Sequence, residues 1–206
     1  MRKSKLVLIA IVSFLLIGNI SCSKNDDNTT IIAKSEYGIF KVINDTTVEM
    51  NGVINGGTPN NFNRLIADYP NIEIINMLDC PGSEDDEANL IVSQTIHDKG
   101  ISFHLFSTSQ IASGAVDMYV GGIRRTRDAG SQIGVHSWGA GPNEPIATSY
   151  PIGHSVHLPY INYYVSVGFT QAEAESFYYF TINAAAADDI YWMTDAEIEQ
   201  YKITKE

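Results

Sequence analysis

The chain has 206 residues, with 13 basic against 24 acidic side chains and a formal charge of −11. An acidic balance of this size excludes gripping nucleic acid or an anionic bilayer through a basic face. At 44 % apolar residues it has enough material for one sizeable core, and no repeat or low-complexity tract interrupts it.

The N-terminus reads as a targeting segment. Met1 to Lys5 is basic, Leu6 to Ile17 is almost wholly apolar, and Gly18-Asn19-Ile20-Ser21-Cys22 ends the run. The apolar stretch is shorter than the roughly 20 residues that span a bilayer, so residues 1–21 are expected to be a signal peptide. Ser21-Cys22 resembles a bacterial lipobox, from which Asn19 departs; Cys22 is then the lipidation site, and ordinary secretion is the alternative. Residues 22–35 are polar and read as a flexible tether. The order Lys24 then Asp26-Asp27 resembles an export signal of surface-exposed lipoproteins. These features place the protein in the cell envelope, lipid-anchored at the outer membrane. Removing residues 1–21 takes Arg2, Lys3 and Lys5 and moves the charge to −14, leaving Cys80 as the one cysteine beyond Cys22.

Residues 36–206 read as one α/β domain. Tyr37–Ile43 and Thr47–Ile54 alternate as strands across an Asn44-Asp45 turn, and Asn60 or Asn61 caps a helix to Asp68. Ile72–Leu78 is a β-branched run suited to a buried parallel strand. It ends at Asp79-Cys80-Pro81-Gly82-Ser83. A helix then starts in an acidic first turn, Glu84–Glu87. Ile101–Phe106 is the next strand, a helix opens at Ser113, and Ser131–His136 is a strand again. A Gly- and Pro-rich loop at 139–151 leads to helices at His154–Val167 and Thr170–Ile182. Thr194-Asp195-Ala196-Glu197 is a capping box that opens a last short helix.

Two glycine-flanked motifs carry chemistry: Ile111-Ala112-Ser113-Gly114-Ala115 and Ile133-Gly134-Val135-His136-Ser137-Trp138. A serine hydroxyl becomes a useful nucleophile when an imidazole takes its proton. The bland readings are a helix N-cap for Ser113 and a core histidine at a strand end for His136.

The order of these motifs resembles the Clp/crotonase superfamily, in the serine-peptidase branch typified by the Clp protease proteolytic subunit, and is closest to its lipoprotein or periplasmic relatives. Leu78–Ser83 looks like that family's Ser-Pro-Gly-Gly turn, with Ser83 where the family has a second glycine. Gln110–Ala115 looks like its nucleophile turn, and Gln132–His136 like the strand that ends in its histidine. The resemblance implies a Clp/crotonase-like core of ββα units, a parallel sheet flanked by helices and a helical C-terminal part. It implies Ser113 as nucleophile, His136 as general base, and the N–H groups of Gly82 and Gly114 as the oxyanion hole. Asp188 is the implied acid, with Asp189, Asn183 or no acid at all as the alternatives. The expected activity is hydrolysis of a peptide or protein substrate through an acyl-enzyme, without metal, cofactor, nucleic acid or ATP-driven partner, in a chain that can self-associate.

Two readings compete: a silent surface-binding lipoprotein that kept the fold, and a metal hydrolase using His136, His154 and His157. His154-x-x-His157 is otherwise an exposed or substrate-facing pair at a helix start. His97 and His104 have no assigned role. The tyrosines of residues 160–191 are expected in the core, and Arg124, Arg125 and Arg127 in pairs with carboxylates.

Overall fold

A computed structural model of the chain describes residues 34–139 and 145–206. The signal segment, Cys22 and most of the tether lie outside them.

Parallel strands buried on both faces need apolar side chains in register, and this chain supplies them. Strands β1 (Glu36–Tyr37), β2 (Phe40–Asn44) and β3 (Thr47–Met50) form an antiparallel edge. Strand β3 then pairs in parallel with β4 (Ile74–Cys80), and β4 with β5 (Ser102–Ala112). The registers Val48↔Ile75↔Phe103 and Met50↔Met77↔Leu105 run across the three strands. All six residues are fully buried, each contributing about 1.5–3 kcal/mol.

Strand β5 is longer than the six residues expected of it, and it is bulged. Met77 faces Leu105 while Asp79 faces Gln110. The excursion is stitched by Ser109, whose hydroxyl donates to the Met77 carbonyl at 2.6 Å and accepts from the Phe106 N–H. Before the bulge β5 pairs with β6 (Arg125–Arg127); after it, with β7 (Gln132–Val135). One strand thus changes partner midway. Short β8 (Tyr191–Trp192) closes the far edge antiparallel to β7, completing an eight-stranded mixed sheet.

The helices are α1 (Thr58–Asp68), α2 (Asp86–Asp98), α3 (Gly114–Val120), α4 (Leu158–Ser166), α5 (Gln171–Ala184) and α6 (Asp195–Gln200). Helix α1 starts at Thr58, with Pro59 in its first turn, ahead of the expected Asn60 or Asn61. Helix α2 is capped by Asp85, whose side chain accepts from the Ala88 N–H. Helix α4 begins at Leu158 behind a 3₁₀ turn at Ser155–His157, so the expected start at His154 falls outside it. The expected capping box at Thr194 and Glu197 is present, and a second joins Thr170 to Glu173.

Arg125 corrects the reading of the basic turn. It is buried and, among the described residues, pairs with no carboxylate: its guanidinium donates to the carbonyls of Val120, Gly122, Lys202 and Ile203. Arg127 does pair with a carboxylate, Asp195, at 2.7 Å.

Candidate functional site

Three neighbouring parallel strands end side by side: β4 runs into Pro81-Gly82, β5 into Ser113 and β7 into His136. Cys80 lies beside Ile111, Ala112 beside Gly134, and the Ser113 N–H donates to the Gly134 carbonyl at 3.0 Å. The carboxyl ends of parallel strands are where α/β folds place ligands. Ser113 and His136, 23 positions apart, line the same small cavity.

Ser113 has φ +54° and ψ −133°, one of two non-glycine residues at positive φ among those described. That region is nearly reserved for glycine and costs about 1–3 kcal/mol, a strain that concentrates at functional sites. It stands at the N-cap position of α3, but its hydroxyl makes no capping hydrogen bond. Gly82, at φ +138°, packs directly against it. Gly114 opens α3, and its carbonyl is held at 2.8 Å by the buried Asn89 side chain of α2. Neither the Gly82 nor the Gly114 N–H is taken up by a hydrogen bond among the described residues.

His136 is half-buried at the end of β7, and its Nδ1 is buried with no hydrogen-bond partner among the described residues. Among the described residues no carboxylate pairs with it. Asp188 and Asp189 are exposed on the loop after α5, and Asp189 accepts from the Ile190 N–H. Asn183 is exposed and donates to the Tyr179 carbonyl. The residues of α5 that line the cavity are Tyr178, Thr181 and Ile182. Helix α5 ends against β7, with the Ser137 N–H donating to Ala185, and this turns Asn183 outward.

A carboxylate that the motifs did not reveal lines the cavity. Asp117 lies one helical turn beyond Ser113 on α3 and accepts from the Tyr164 hydroxyl at 2.5 Å. Burial, reinforced by nearby Asp86, pushes its pKa up to about 7. An aspartate among the apolar residues of Gly114–Val120 was the available signal. Asp86, Trp138, Tyr160 and Tyr164 complete the wall, in a cavity of about 40 Å³. Asp86, Trp138 and Tyr160 also border a larger, mostly apolar groove of about 1030 Å³ between α2 and α4.

The histidine triplet does not assemble. His157 is fully buried, with Nδ1 2.7 Å from the Tyr178 hydroxyl, while exposed His154 accepts from the Val156 N–H. No three metal-ligating side chains converge among the described residues. Gly134 makes room for Ile190 and Trp192: a β-carbon there would stand 2.6 Å from the Ile190 side chain.

No family model matches the chain, and no curated protein matches it in sequence. Solved structures do match. A mutant of the 1510-N membrane-bound stomatin-specific protease, in complex with a substrate peptide, superposes with a TM-score of 0.51 at 23 % identity, covering 78 % of this chain and 72 % of that one. A second mutant of that protease gives 0.51 at 21 % identity over 78 % and 76 %. ClpP1 from Listeria monocytogenes, as a mutant, gives 0.48 at 17 % over 78 % and 89 %. The chain shares the fold of the stomatin-specific protease. At these identities the likeness establishes architecture, and the chemistry must be argued from this chain's own residues.

Proposed function

We propose that the protein is a serine hydrolase acting on peptides. Ser113 attacks the carbonyl carbon, His136 takes the hydroxyl proton and returns it to the leaving amine, and water then hydrolyses the acyl-enzyme. The Gly82 and Gly114 N–H groups receive the oxyanion. The observation that carries this reading is the Ser113 backbone. A serine held in a glycine conformation, uncommitted to capping and sharing a cavity with an imidazole, is an arrangement that local folding does not require. The match to proteases in fold supports peptide as the substrate class.

A fluorophosphonate probe tests this directly. Wild type is modified, Ser113→Ala is not, and His136→Ala is modified more slowly. No modification of folded wild type overturns it. The unpartnered Nδ1 favours a second reading, a binding module that kept the fold without catalysis. That reading predicts peptide binding with no labelling.

Lipid anchoring through Cys22 at the outer membrane belongs to the same proposal. Detergent-phase partitioning of the full chain, lost in Cys22→Ala, tests it, and equal partitioning of both proteins refutes it.

A further inference from the structure

Where this chain departs from the glycine-rich turn it resembles, it has built something. Ser83 follows Gly82 directly, and its hydroxyl donates to Oδ1 of Asp86 at 2.5 Å. The other oxygen, Oδ2, accepts from the Tyr160 hydroxyl of α4, also at 2.5 Å. One carboxylate thus ties the turn that presents Gly82 to a helix 74 positions away. The Tyr160 ring is itself fixed, stacked on Trp138 at 6.2 Å and 15° and on Tyr178 at 5.5 Å and 22°. Trp138 lies two residues beyond His136. Ser83 also abuts Gly114, so closely that a β-carbon on the glycine would collide with its hydroxyl.

We infer that Ser83, Asp86 and Tyr160 are positioning residues, a hydrogen-bonded strut that sets the Gly82 and Gly114 N–H groups against Ser113 and in register with the His136 segment. A backbone pair alone would not supply this. The Ile54 N–H donates to the Gly82 carbonyl and the Glu84 N–H to the Ile54 carbonyl, which ties the turn to the segment after β3. Neither bond connects it to the elements around His136. Beside the strand ladder, the carboxylate is a side-chain link from the Gly82 turn to the helix stacked on Trp138, and charge-assisted hydrogen bonds of this kind hold geometry more tightly than neutral ones.

The inference rests on the hydrolase reading, and the test separates the two. The probe is an alkyl fluorophosphonate, whose attack by Ser113 develops charge on a phosphonyl oxygen as acylation does on a carbonyl oxygen. The inactivation rate at saturation, kinact, and the half-saturating concentration, KI, are measured for wild type, Ser83→Ala, Asp86→Asn, Tyr160→Phe and the Ser83→Ala/Tyr160→Phe double variant. Misplacing donors without removing them lowers kinact about ten- to a hundred-fold and leaves KI within about two-fold. The double variant loses no more than the worse single one, because the strut acts as a unit, and Ser83→Thr restores the rate. Unchanged kinact in Ser83→Ala and Tyr160→Phe, or losses that multiply in the double variant, overturn the inference while the hydrolase reading stands. A folded wild type that the probe never modifies overturns both. Circular dichroism of each variant at the assay temperature separates a true loss of rate from a loss of folded protein.

Discussion

Gly82 and Ser113 are in contact across two strand ends: a β-carbon built on the glycine would stand 2.8 Å from the β-carbon of the serine and 3.3 Å from its hydroxyl. Gly82→Ala therefore meets a double obstacle, a φ of +138° that side chains avoid and a collision with the proposed nucleophile. We expect fluorophosphonate labelling to fall at least about a hundred-fold. Labelling at the wild-type rate would mean that the two residues do not share a reaction centre.

The strain at Ser113 can be measured. Glycine ordinarily destabilises relative to alanine through the unfolded chain, by about 0.4–1 kcal/mol. At φ +54°, ψ −133° the order reverses, since glycine alone occupies that region without penalty. Ser113→Gly should melt a few degrees above Ser113→Ala. The opposite order in thermal unfolding would show that the serine backbone is relaxed.

Asp117 makes stability depend on pH in an unusual direction for a carboxyl. Its pKa rises from 3.8 to about 7 on folding, so the folded state holds the proton more tightly between those values. Raising the pH through that window removes stability, to a ceiling of about 4 kcal/mol, and the loss is complete above pH 7. Asp117→Asn lacks the titration. Its melting temperature should match wild type near pH 4 and exceed it at pH 8. Parallel pH profiles for the two proteins would count against the assignment.

Arg125 has no conservative replacement. Arg125→Lys leaves several of four carbonyls, three of them in buried hydrogen bonds, without a donor, at about 3 kcal/mol or more, a drop of roughly 10 °C in Tm. A shift under about 2 °C would show that solvent reaches those carbonyls.

The Cys80 thiol is fully buried, its Sγ 3.4 Å from the Met50 carbonyl, and burial pushes its pKa up to about 12. In a Cys22→Ser chain at pH 8, a thiol reagent such as dithionitrobenzoate should find no reactive sulfur until denaturant is added, then one per chain. Rapid reaction of native protein would refute the burial.

Sequence patterns bring out Ser113 and His136 as candidates because each lies in a run whose neighbours are constrained: apolar residues that continue the strand, and a glycine, Gly114 or Gly134, against which other side chains pack. Two central strands are legible in the β-branched run Ile72–Leu78 and in the apolar-rich segment Ile101–Phe106. The bulge in β5 was hidden, because Ser107-Thr108-Ser109 has no periodicity and the bonds that stitch it reach Met77, 32 positions away. Strand β6 was hidden for the same reason: Arg-Thr-Arg becomes a strand only because the bulge frees the early half of β5 to accept it. The missing acid belongs to a third kind. Asp188 was picked by its nearness in sequence to α5, and where that helix stops turns it to solvent. Asp86 and Tyr160 carried no local mark, since their partnership exists only across the fold.

The carbonyls that satisfy Arg125 include two from residues 77 and 78 positions downstream. A chain emerging N-terminus first therefore leaves this guanidinium with only the Val120 and Gly122 carbonyls until that later segment arrives. The last residues of the chain thus complete the burial of a charge that lies near its middle, and a molecule lacking them holds that cation half satisfied.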